Sequence, residues 1–325
     1  MEFEIVERVE CPVCSSRDRR KLFTIYDDRY GQPDLYTVLE CQRCKACYLR
    51  EAIVPDQISG LYEKYYGYSS NGPSSTMLRR SSFPWHSLSF VRRLEIGKQW
   101  EAWYGYWTRN RALDWQIVNG ERVLDVGCGY GHTAKHVVAR GAHWTGLEVD
   151  IEACQAIRGR GLECIHGLIE TADLPNEAYD VLIASQVIEH SSEPRTFMKN
   201  CARVLRPGGR LFLNTPNSSS RYRLAYGQAW IHWFVPYHQV LFSPQSLECL
   251  GQSCGFLVRA YRTETPTHWA NLQRGYSRPL RGEAGAWANK NTPGMLQPSV
   301  SSLKLRLGDL REGSGDALVA ELVRL

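Results

Sequence analysis

The stretch Val123-Leu124-Asp125-Val126-Gly127-Cys128-Gly129-Tyr130-Gly131 decides the fold of this 325-residue chain. It has the pattern of a buried strand that runs directly into a glycine-rich turn, and helical spacing of apolar residues follows over 134–138. Such a turn lets a ligand approach the backbone closely at the carboxyl end of a parallel strand. Glu148 ends the next predicted strand, 21 residues after Gly127. An acid at this position can accept hydrogen bonds from ribose hydroxyls.

The turn favours one kind of nucleotide ligand over another. A dinucleotide fingerprint has its third glycine five positions after the first, and here His132 occupies that position. Asp125 would repel a phosphate but suits a ligand with an ammonium group. S-adenosylmethionine has an ammonium group, a sulfonium and no phosphate, so the pattern indicates this cofactor. The plainer alternative is a turn that only lets the helix pack on the strand.

Short strand-like runs alternate with helical periods from Glu121 onward. This order predicts a mostly parallel α/β sheet with helices on both faces, over residues 120–325. A helix through Phe197 and Leu205 is predicted to end at Pro207-Gly208-Gly209. The long segment 266–312 is predicted to be a substrate-side insertion. The predicted strands are Arg122–Val126, Trp144–Val149, Glu163–His166, Tyr179–Ser185, Arg210–Asn214, Phe256–Arg262 and Ala317–Val323, the last two as an antiparallel pair.

An ordered set of segments over about residues 115–325 resembles the class I S-adenosylmethionine-dependent methyltransferases. The matching segments are Val123–Gly131, Gly146–Glu148, Tyr179–Leu182, Val187–His190, Arg203–Gly209 and Asn214–Asn217. The resemblance implies a Rossmann-like sheet of seven strands, of which one late strand runs antiparallel to the others. It also implies methyl transfer from S-adenosylmethionine.

The resemblance further implies a role for individual residues around the cofactor. Asp125 and the turn residues would lie near its methionine part, and Glu148 would bind the ribose. The family often has an aspartate where Leu168 stands, so adenine contact here would come from backbone and apolar groups. The implied cofactor-binding residues are Asp125, Gly127, Cys128, Gly129, Glu148, Leu168 and Ile169 beside the adenine, and Ser185 and Gln186 at the methyl end.

The amino-terminal residues 1–50 contain two C-x₂-C pairs, Cys11/Cys14 and Cys41/Cys44, separated by 26 residues. Four thiolates on two tight turns suit a closed tetrahedral zinc site of structural type. Cys47 follows at the same spacing and is an alternative ligand, and unligated or redox-active thiols are the other interpretation. Short strands are predicted at Leu22–Tyr26 and Tyr36–Leu39. A zinc-ribbon-like module of this kind, followed by the aromatic run Leu61–Tyr66, resembles methyltransferases encoded with bacterial surface-polysaccharide and sugar-modifying enzymes.

Composition and charge limit the partners. Residues 1–50 have nine basic and nine acidic side chains, so this module lacks the positive charge that nucleic-acid binding needs. The excess charge of the chain, +5, lies mainly in residues 78–115 and 203–225. The first of these stretches belongs to the aromatic segment 51–119, which is predicted to be a helical linker or lid. No apolar run reaches the ~18 residues of a membrane span, and no secretory signal is evident at residues 1–5. We therefore expect a cytoplasmic enzyme.

Candidate catalytic residues follow the fourth and fifth predicted strands. His190 and His238 are candidate general bases, with Tyr237 and Glu189 behind them, and a structural histidine is the alternative for each. The apolar run Trp230–Val235 is expected to be a hydrophobic lid rather than a membrane-touching patch. Several late arginines predict an acceptor with phosphate or carboxylate, such as a nucleotide-linked sugar, and a solvated basic surface is the alternative for each. They are Arg221, Arg223, Arg259, Arg262, Arg274, Arg278 and Arg281.

Two other functions stay open at this point. The first is an RNA methyltransferase, because some rRNA guanine methyltransferases also have an amino-terminal zinc module. Against it, the second cysteine pair lacks the histidine of those enzymes, and Ser185-Gln186-Val187 replaces their Pro-Pro-Tyr-type loop. The second is a non-catalytic binding or scaffold protein with the same fold, which the intact Asp125, glycine turn and Glu148 disfavour.

Overall fold

A computed structural model describes most of the two regions that carry these motifs. The described residues are 3–54, 57–61, 64–65, 116–266, 269–270, 272–273, 276 and 314–325. Most of the predicted aromatic segment 51–119 and of the predicted insertion 266–312 therefore lies outside the described residues. Within the described part, no helix is both long enough and apolar enough to cross a membrane.

The larger sheet has seven strands and forms the centre of the molecule. Its strands are β6 (Arg122–Val126), β7 (His143–Glu148), β8 (Glu163–His166), β9 (Tyr179–Ser185), β10 (Leu205–Pro216), β12 (Phe256–Glu264) and β13 (Ala317–Arg324). Their spatial order is β12-β13-β10-β9-β6-β7-β8. β13 pairs antiparallel with both β10 and β12, and the β10-β9-β6-β7-β8 neighbours are parallel. The predicted Rossmann-like, mostly parallel sheet of seven strands, with one late reversed strand, is confirmed.

Helices cover both faces of this sheet because its strands alternate apolar side chains between them. Along β9, Leu182 and Ala184 face a core that includes Phe197, whereas Val181 and Ile183 face a second core with Val137 and its neighbours. The helices are α1 (Ile58–Leu61), α2 (Ala134–Val138), α3 (Ile151–Arg158), α4 (Pro194–Val204), α5 (Arg221–Tyr226) and α6 (Pro244–Ser253). α4 and α6 contribute to the first core, and α2 and α3 contribute to the second.

The prediction that Pro207-Gly208-Gly209 ends a helix is wrong. The helix stops at Val204, and β10 begins at the next residue. The strand register shifts between Leu205 and Arg210, so the Pro-Gly-Gly bend lies inside the strand as an irregularity. A Cβ at Gly209 would lie 2.8 Å from the carbonyl oxygen of Arg206. The close backbone approach in this bend therefore explains the glycine better than a helix cap does.

The amino-terminal module contains the two predicted strands and is built into the rest of the molecule. β2 (Arg19–Tyr26), β3 (Leu35–Cys41) and β4 (Cys47–Leu49) form an antiparallel sheet. Its fourth strand is β11 (Val240–Leu241), which pairs with β4 and comes from the part of the chain that also forms the larger sheet. A separate pair joins β1 (Ile5–Glu7) to β5 (Glu51–Ile53). The module therefore contacts the loops at the carboxyl end of the larger sheet.

The expectation that Trp230–Val235 forms a lid or a surface patch is wrong. Trp230, Trp233 and Val235 are each at most 3% exposed and pack in one apolar cluster. The same cluster contains Tyr36 and Leu49 from the amino-terminal module. The run therefore lies in a core between the module and the part of the chain that forms the larger sheet, since apolar side chains from both sides remove it from water.

Candidate active site

The glycine turn after β6 adopts a backbone conformation that glycine takes at least cost. Gly127, Gly129 and Gly131 have φ angles of 64°, 53° and 71°, in the left-handed region. The N–H of Gly127 donates to the carbonyl of Leu147 at 2.7 Å and fixes the turn against β7. A Cβ at Gly127 would lie 2.5 Å from Cγ2 of Val187. The turn thus presents bare backbone at the carboxyl end of the sheet.

Asp125 places a buried carboxyl group directly before this turn. Its side chain is 3% exposed and accepts a hydrogen bond from the hydroxyl of Thr133. Trp144 Nε1 in turn donates to that hydroxyl at 3.0 Å. Burial raises the pKa of Asp125 to about 6, and the nearby Glu148 charge acts in the same direction, while the Thr133 bond opposes them. At neutral pH the group is therefore ionised and able to attract a cation.

Glu148 ends the neighbouring strand and turns its carboxylate toward the glycine turn. Oε2 accepts the N–H of Gly129 at 2.7 Å, and Oε1 accepts those of Val149 and Asp150 at 2.9 and 3.1 Å. The side chain is 9% exposed. The residue predicted to bind ribose thus also ties the glycine turn to the end of β7.

The two residues predicted beside the adenine have different environments. Ile169 is 1% exposed and belongs to the sheet core. Leu168 is half-buried, and its carbonyl accepts the N–H of Ala172 at 2.8 Å. Only the Leu168 side chain of this pair therefore keeps appreciable accessible surface.

The carboxyl ends of β9 and β10 bring Ser185 and Gln186 next to a residue that had no predicted role, Asn214. The N–H of Gln186 donates to the carbonyl of Asn214 at 2.7 Å, with Gln186 at a φ of 59°. The Asn214 amide lies 3.4 Å from the Ser185 hydroxyl. Among the described residues, Gln186 Nε2 and Asn214 Oδ1 are buried without a hydrogen-bond partner. Two unsatisfied amide groups at adjacent strand ends favour a polar ligand there.

His190 and His238, predicted from distant parts of the sequence, meet in the structure. Their ring centroids are 4.7 Å apart in an edge-on arrangement. Nδ1 of His190 lies 3.0 Å from the carbonyl of Tyr237, and Nδ1 of His238 lies 2.8 Å from that of His232. Because a carbonyl only accepts, each Nδ1 carries the proton and the basic nitrogen of each ring is Nε2.

Burial makes these histidines weak bases. It lowers the pKa of His190 to about 4, and it lowers the pKa of His238 well below its ordinary value. A general base works best with a pKa near the working pH. The third candidate, Tyr237, is 1% exposed, and its ring stacks on Phe234 with centroids 4.7 Å apart. The burial of these three side chains and the low pKa values of the histidines thus give little support to proton abstraction by these groups alone.

Glu189 lies beside the two histidines and has a partner that sequence reasoning missed. The hydroxyl of Thr215 donates to Glu189 Oε2 at 2.9 Å. Glu189 is 0% exposed, and burial raises its pKa to about 8. The N–H of Gln239 also donates to the Glu189 carbonyl at 2.7 Å. Neither Thr215 nor Gln239 belongs to a recognisable site motif. Their contacts with Glu189 become evident only in the structure, where segments remote in sequence meet.

The four cysteines of the amino-terminal module converge as their spacing predicts. The sulfurs of Cys11 and Cys44 are 3.6 Å apart, and those of Cys14 and Cys41 are 3.5 Å apart. All four sulfurs lie within 4.8 Å of one another. Tetrahedral zinc with Zn–S bonds of about 2.3 Å needs sulfurs about 3.8 Å apart. The distances between the four sulfurs are therefore compatible with zinc.

Cys47 is not part of the four-sulfur cluster. It is buried in the apolar core that joins the module to the part of the chain that forms the larger sheet. Arg223 Nη1 lies 3.6 Å from its sulfur.

Three of the arginines expected to bind an anionic acceptor already have carboxylate partners. Arg223 pairs with Glu40 at 3.3 Å, Arg259 with Glu321 at 3.2 Å, and Arg262 with Glu264 at 3.1 Å. Arg221 is described and half-buried, whereas Arg274, Arg278 and Arg281 lie outside the described residues. These ion pairs weaken the argument for an anionic acceptor.

Comparison with known proteins agrees with the fold and the glycine turn. A family model described as a methyltransferase domain matches residues 106–261. The ubiquinone biosynthesis O-methyltransferase of Aeromonas salmonicida (strain A449) is 31% identical over 153 residues, which cover 43% of this chain and 64% of that protein. Its counterpart from Erwinia tasmaniensis is 35% identical over 121 residues, which cover 34% of this chain and 50% of that protein. Residues 106–261 are therefore similar to a methyltransferase domain.

The similarity to these proteins is partial. The chain spans less than two thirds of the length of the curated relatives named above. Among solved structures, an S-adenosylmethionine-dependent methyltransferase from Archaeoglobus fulgidus matches with a TM-score of 0.46 and 14% identity, over 67% of this chain and 91% of that one. An S-adenosylmethionine-dependent methyltransferase from Mesorhizobium loti matches with a TM-score of 0.45 and 16% identity, over 67% of this chain and 97% of that one.

Proposed function

We propose that this protein transfers the methyl group of S-adenosylmethionine to a small acceptor molecule. The observation that carries the proposal is the pair of carboxylates, Asp125 and Glu148, at neighbouring strand ends around a bare glycine turn. A buried negative charge, with His132 in place of the third glycine of a dinucleotide fingerprint, suits a cationic adenosyl ligand better than a pyrophosphate. The methyltransferase relatives support the same assignment.

The residues present fit this cofactor at both ends of the turn. Asp125 would attract its ammonium group, Glu148 would accept hydrogen bonds from its ribose, and Leu168 would pack on its adenine. The unsatisfied amides of Gln186 and Asn214 would lie at its methyl end. When bound, the cofactor supplies a methyl carbon that its sulfonium has already activated. The protein then needs mainly to align the acceptor and exclude water.

For the acceptor, we propose a small molecule that receives the methyl group on a hydroxyl oxygen. The O-methyltransferase names of the two relatives support this choice. A nucleotide-linked sugar or glycan precursor has such hydroxyls and stays the first compound class to assay. Its anionic part would have to be bound by arginines other than Arg223, Arg259 and Arg262, because these are paired with carboxylates.

We also propose that Cys11, Cys14, Cys41 and Cys44 hold a structural zinc ion. The second cysteine pair contacts the methyltransferase part directly: Gln245 Nε2 donates to the Arg43 carbonyl at 3.0 Å, and the Ser243 hydroxyl lies 3.4 Å from the Cys44 carbonyl. Zinc would therefore stabilise the loop that leads from His238 into α6. Metal analysis should find that Cys41→Ser holds one equivalent of zinc fewer than the wild type and that the control Cys249→Ser holds as much as the wild type.

The test of methyl transfer uses purified protein, cofactor with a labelled methyl group, and a panel of acceptors. The panel holds nucleotide-linked sugars, neutral hydroxylated compounds and total RNA, and Asp125→Asn is the inactive control. We expect label in a small hydroxylated compound with the wild type only. Label in RNA alone would identify an RNA methyltransferase, and cofactor binding without transfer to any acceptor would identify a scaffold protein.

A further inference from the structure

Three side chains from two separate loops form a compact cluster at the carboxyl end of the sheet. Glu189 and His190 lie in the short helical turn Ile188–His190 after β9, and His238 precedes β11. One ligand atom from each of the three lies within 4.8 Å of the others. The four zinc-binding cysteines are the other set of this kind among the described residues.

Hydrogen bonds from neighbouring loops orient all three side chains in the way that metal ligands are usually oriented. Each histidine directs Nδ1 to a main-chain carbonyl, His190 to Tyr237 at 3.0 Å and His238 to His232 at 2.8 Å. Metal-binding histidines commonly donate their second ring N–H to a carbonyl in this way, which fixes the tautomer and the ring orientation. Thr215 likewise holds one carboxylate oxygen of Glu189 at 2.9 Å.

The other carboxylate oxygen of Glu189 is a buried acceptor without a satisfied bond. Glu189 is 0% exposed, and its Oε1 has no hydrogen-bond partner among the described residues. A buried unsatisfied carboxylate oxygen is costly unless a ligand or ion completes it. The main-chain bond from Gln239 to Glu189, at 2.7 Å, keeps both loops in register, so the cluster is preorganised.

We propose that Glu189, His190 and His238 bind a divalent transition-metal ion, distinct from the structural zinc. Two imidazoles and one carboxylate suit Zn²⁺, Mn²⁺ or Fe²⁺, whereas Mg²⁺ and Ca²⁺ prefer oxygen ligands alone. Three protein ligands leave a position open for an exchangeable molecule. His190 is the partly exposed member of the set, so the open position faces its side of the cluster.

The role of this ion rests on the proposed methyl transfer. Bound to the metal, an acceptor hydroxyl becomes more acidic and releases its proton to water. A lone pair of the resulting oxygen forms the new O–C bond to the methyl carbon. The C–S bond breaks, and its electron pair neutralises the sulfonium as a thioether.

Metal stoichiometry tests the proposal without reference to activity. Full-length protein is equilibrated with Zn²⁺ by dialysis and analysed for bound metal. The wild type is expected to hold two equivalents per chain. Glu189→Gln and His238→Gln should each hold one, and the control His136→Ala, an exposed histidine, should hold two. One equivalent in the wild type, or two in both cluster variants, would overturn the site.

Replacement by Co²⁺ shows which site is lost and whether the variants fold. Cobalt at the four cysteines gives thiolate charge-transfer absorption, and cobalt at the cluster does not. Glu189→Gln should bind one equivalent of cobalt fewer than the wild type and keep the full intensity of the thiolate band. A weaker thiolate band in this variant would refute the assignment, because the lost cobalt would then come from the cysteines. Cofactor binding, measured separately by calorimetry, is expected to persist in Glu189→Gln. Failure of cofactor binding in the wild type would overturn the methyltransferase proposal and leave the metal count unchanged.

Discussion

At the scale of single residues, the proposed cofactor site consists of two carboxylates and a glycine turn. The carboxylates of Asp125 and Glu148 and the glycine backbone can be predicted from sequence, because a strand, a turn and a helix in fixed order leave little freedom. Their hydrogen bonds cannot be predicted in this way. The bond from Gly129 to Glu148, at 2.7 Å, depends on the rotamer of one side chain. The meeting of His190 with His238 likewise depends on two loops that are remote in sequence.

At this scale, Asp125 predicts how cofactor binding depends on pH. Because burial raises its pKa to about 6, the carboxylate is neutralised as the pH falls through 6. Cofactor affinity should then fall by up to about tenfold per pH unit below 6. Calorimetric titration from pH 5 to 8 measures it. In Asp125→Asn, affinity should be lower and its dependence on pH flat, and an unchanged pH profile in this variant would contradict the assignment.

The same raised pKa predicts the opposite trend for the stability of the free protein. The folded carboxyl binds its proton more tightly than the unfolded one, so burial of the charge lowers stability above pH 6. This cost disappears as the pH falls from 6 toward 3.8, the ordinary value. Asp125→Asn should therefore stabilise the protein at pH 7 and have much less effect near pH 4. Chemical denaturation at both pH values measures the difference.

At the scale of helices and strands, the structure agrees with the sequence-based predictions where apolar residues recur at a clear helical or strand spacing. The parallel strands, the order of helices and the late antiparallel pair all have local signals, and the structure contains each of them. Pro207–Gly209 was misassigned because a helix end and a strand bend use the same residues, and the choice depends on pairing with β9. β11, with two residues, has no period to detect.

At the scale of this strand-turn-helix unit, Gly127→Ala should weaken both folding and cofactor binding. A φ of 64° costs an alanine about 1–2 kcal/mol, and its Cβ would press on Val187. The control Gly120→Ala has a φ of 83° but no atom within 4 Å of its Cβ. Thermal unfolding should therefore show the larger loss at position 127. Equal losses, with cofactor binding intact in both variants, would show that the close approach is unimportant.

At the scale of the whole molecule, the amino-terminal module and the methyltransferase part share cores and a sheet. Local patterns predict a separate cysteine-rich module, yet β11 completes its sheet and Trp230–Val235 packs against it. The sequence does not reveal this, because apolar runs of a lid and of a core look alike until their partners are known. The packing brings the four cysteines close to the loop that carries His238.

Arg8 connects the amino-terminal module to the rest of the molecule, and its substitution tests how much this contact contributes to stability. Its guanidinium donates to the carbonyls of Leu49 at 3.0 Å, Gln239 at 3.2 Å and Ser192 at 2.6 Å. Hydrogen bonds from a charged group are worth about 1.5–3 kcal/mol each. Arg8→Ala should therefore lower the free energy of unfolding by at least about 2 kcal/mol in chemical denaturation. Arg17→Ala, which removes an exposed pair with Glu10, is the control and should cost under about 1 kcal/mol.

The most direct test of the account is calorimetric titration with two ligands, the demethylated cofactor S-adenosylhomocysteine and the dinucleotide NAD. Binding of the first and no measurable binding of the second is predicted, with at least about tenfold weaker binding in Glu148→Ala. Tight binding of NAD by a protein that ignores S-adenosylhomocysteine would contradict the central claim, that two carboxylates around a bare glycine turn select an adenosyl ligand with an ammonium group over one with a pyrophosphate.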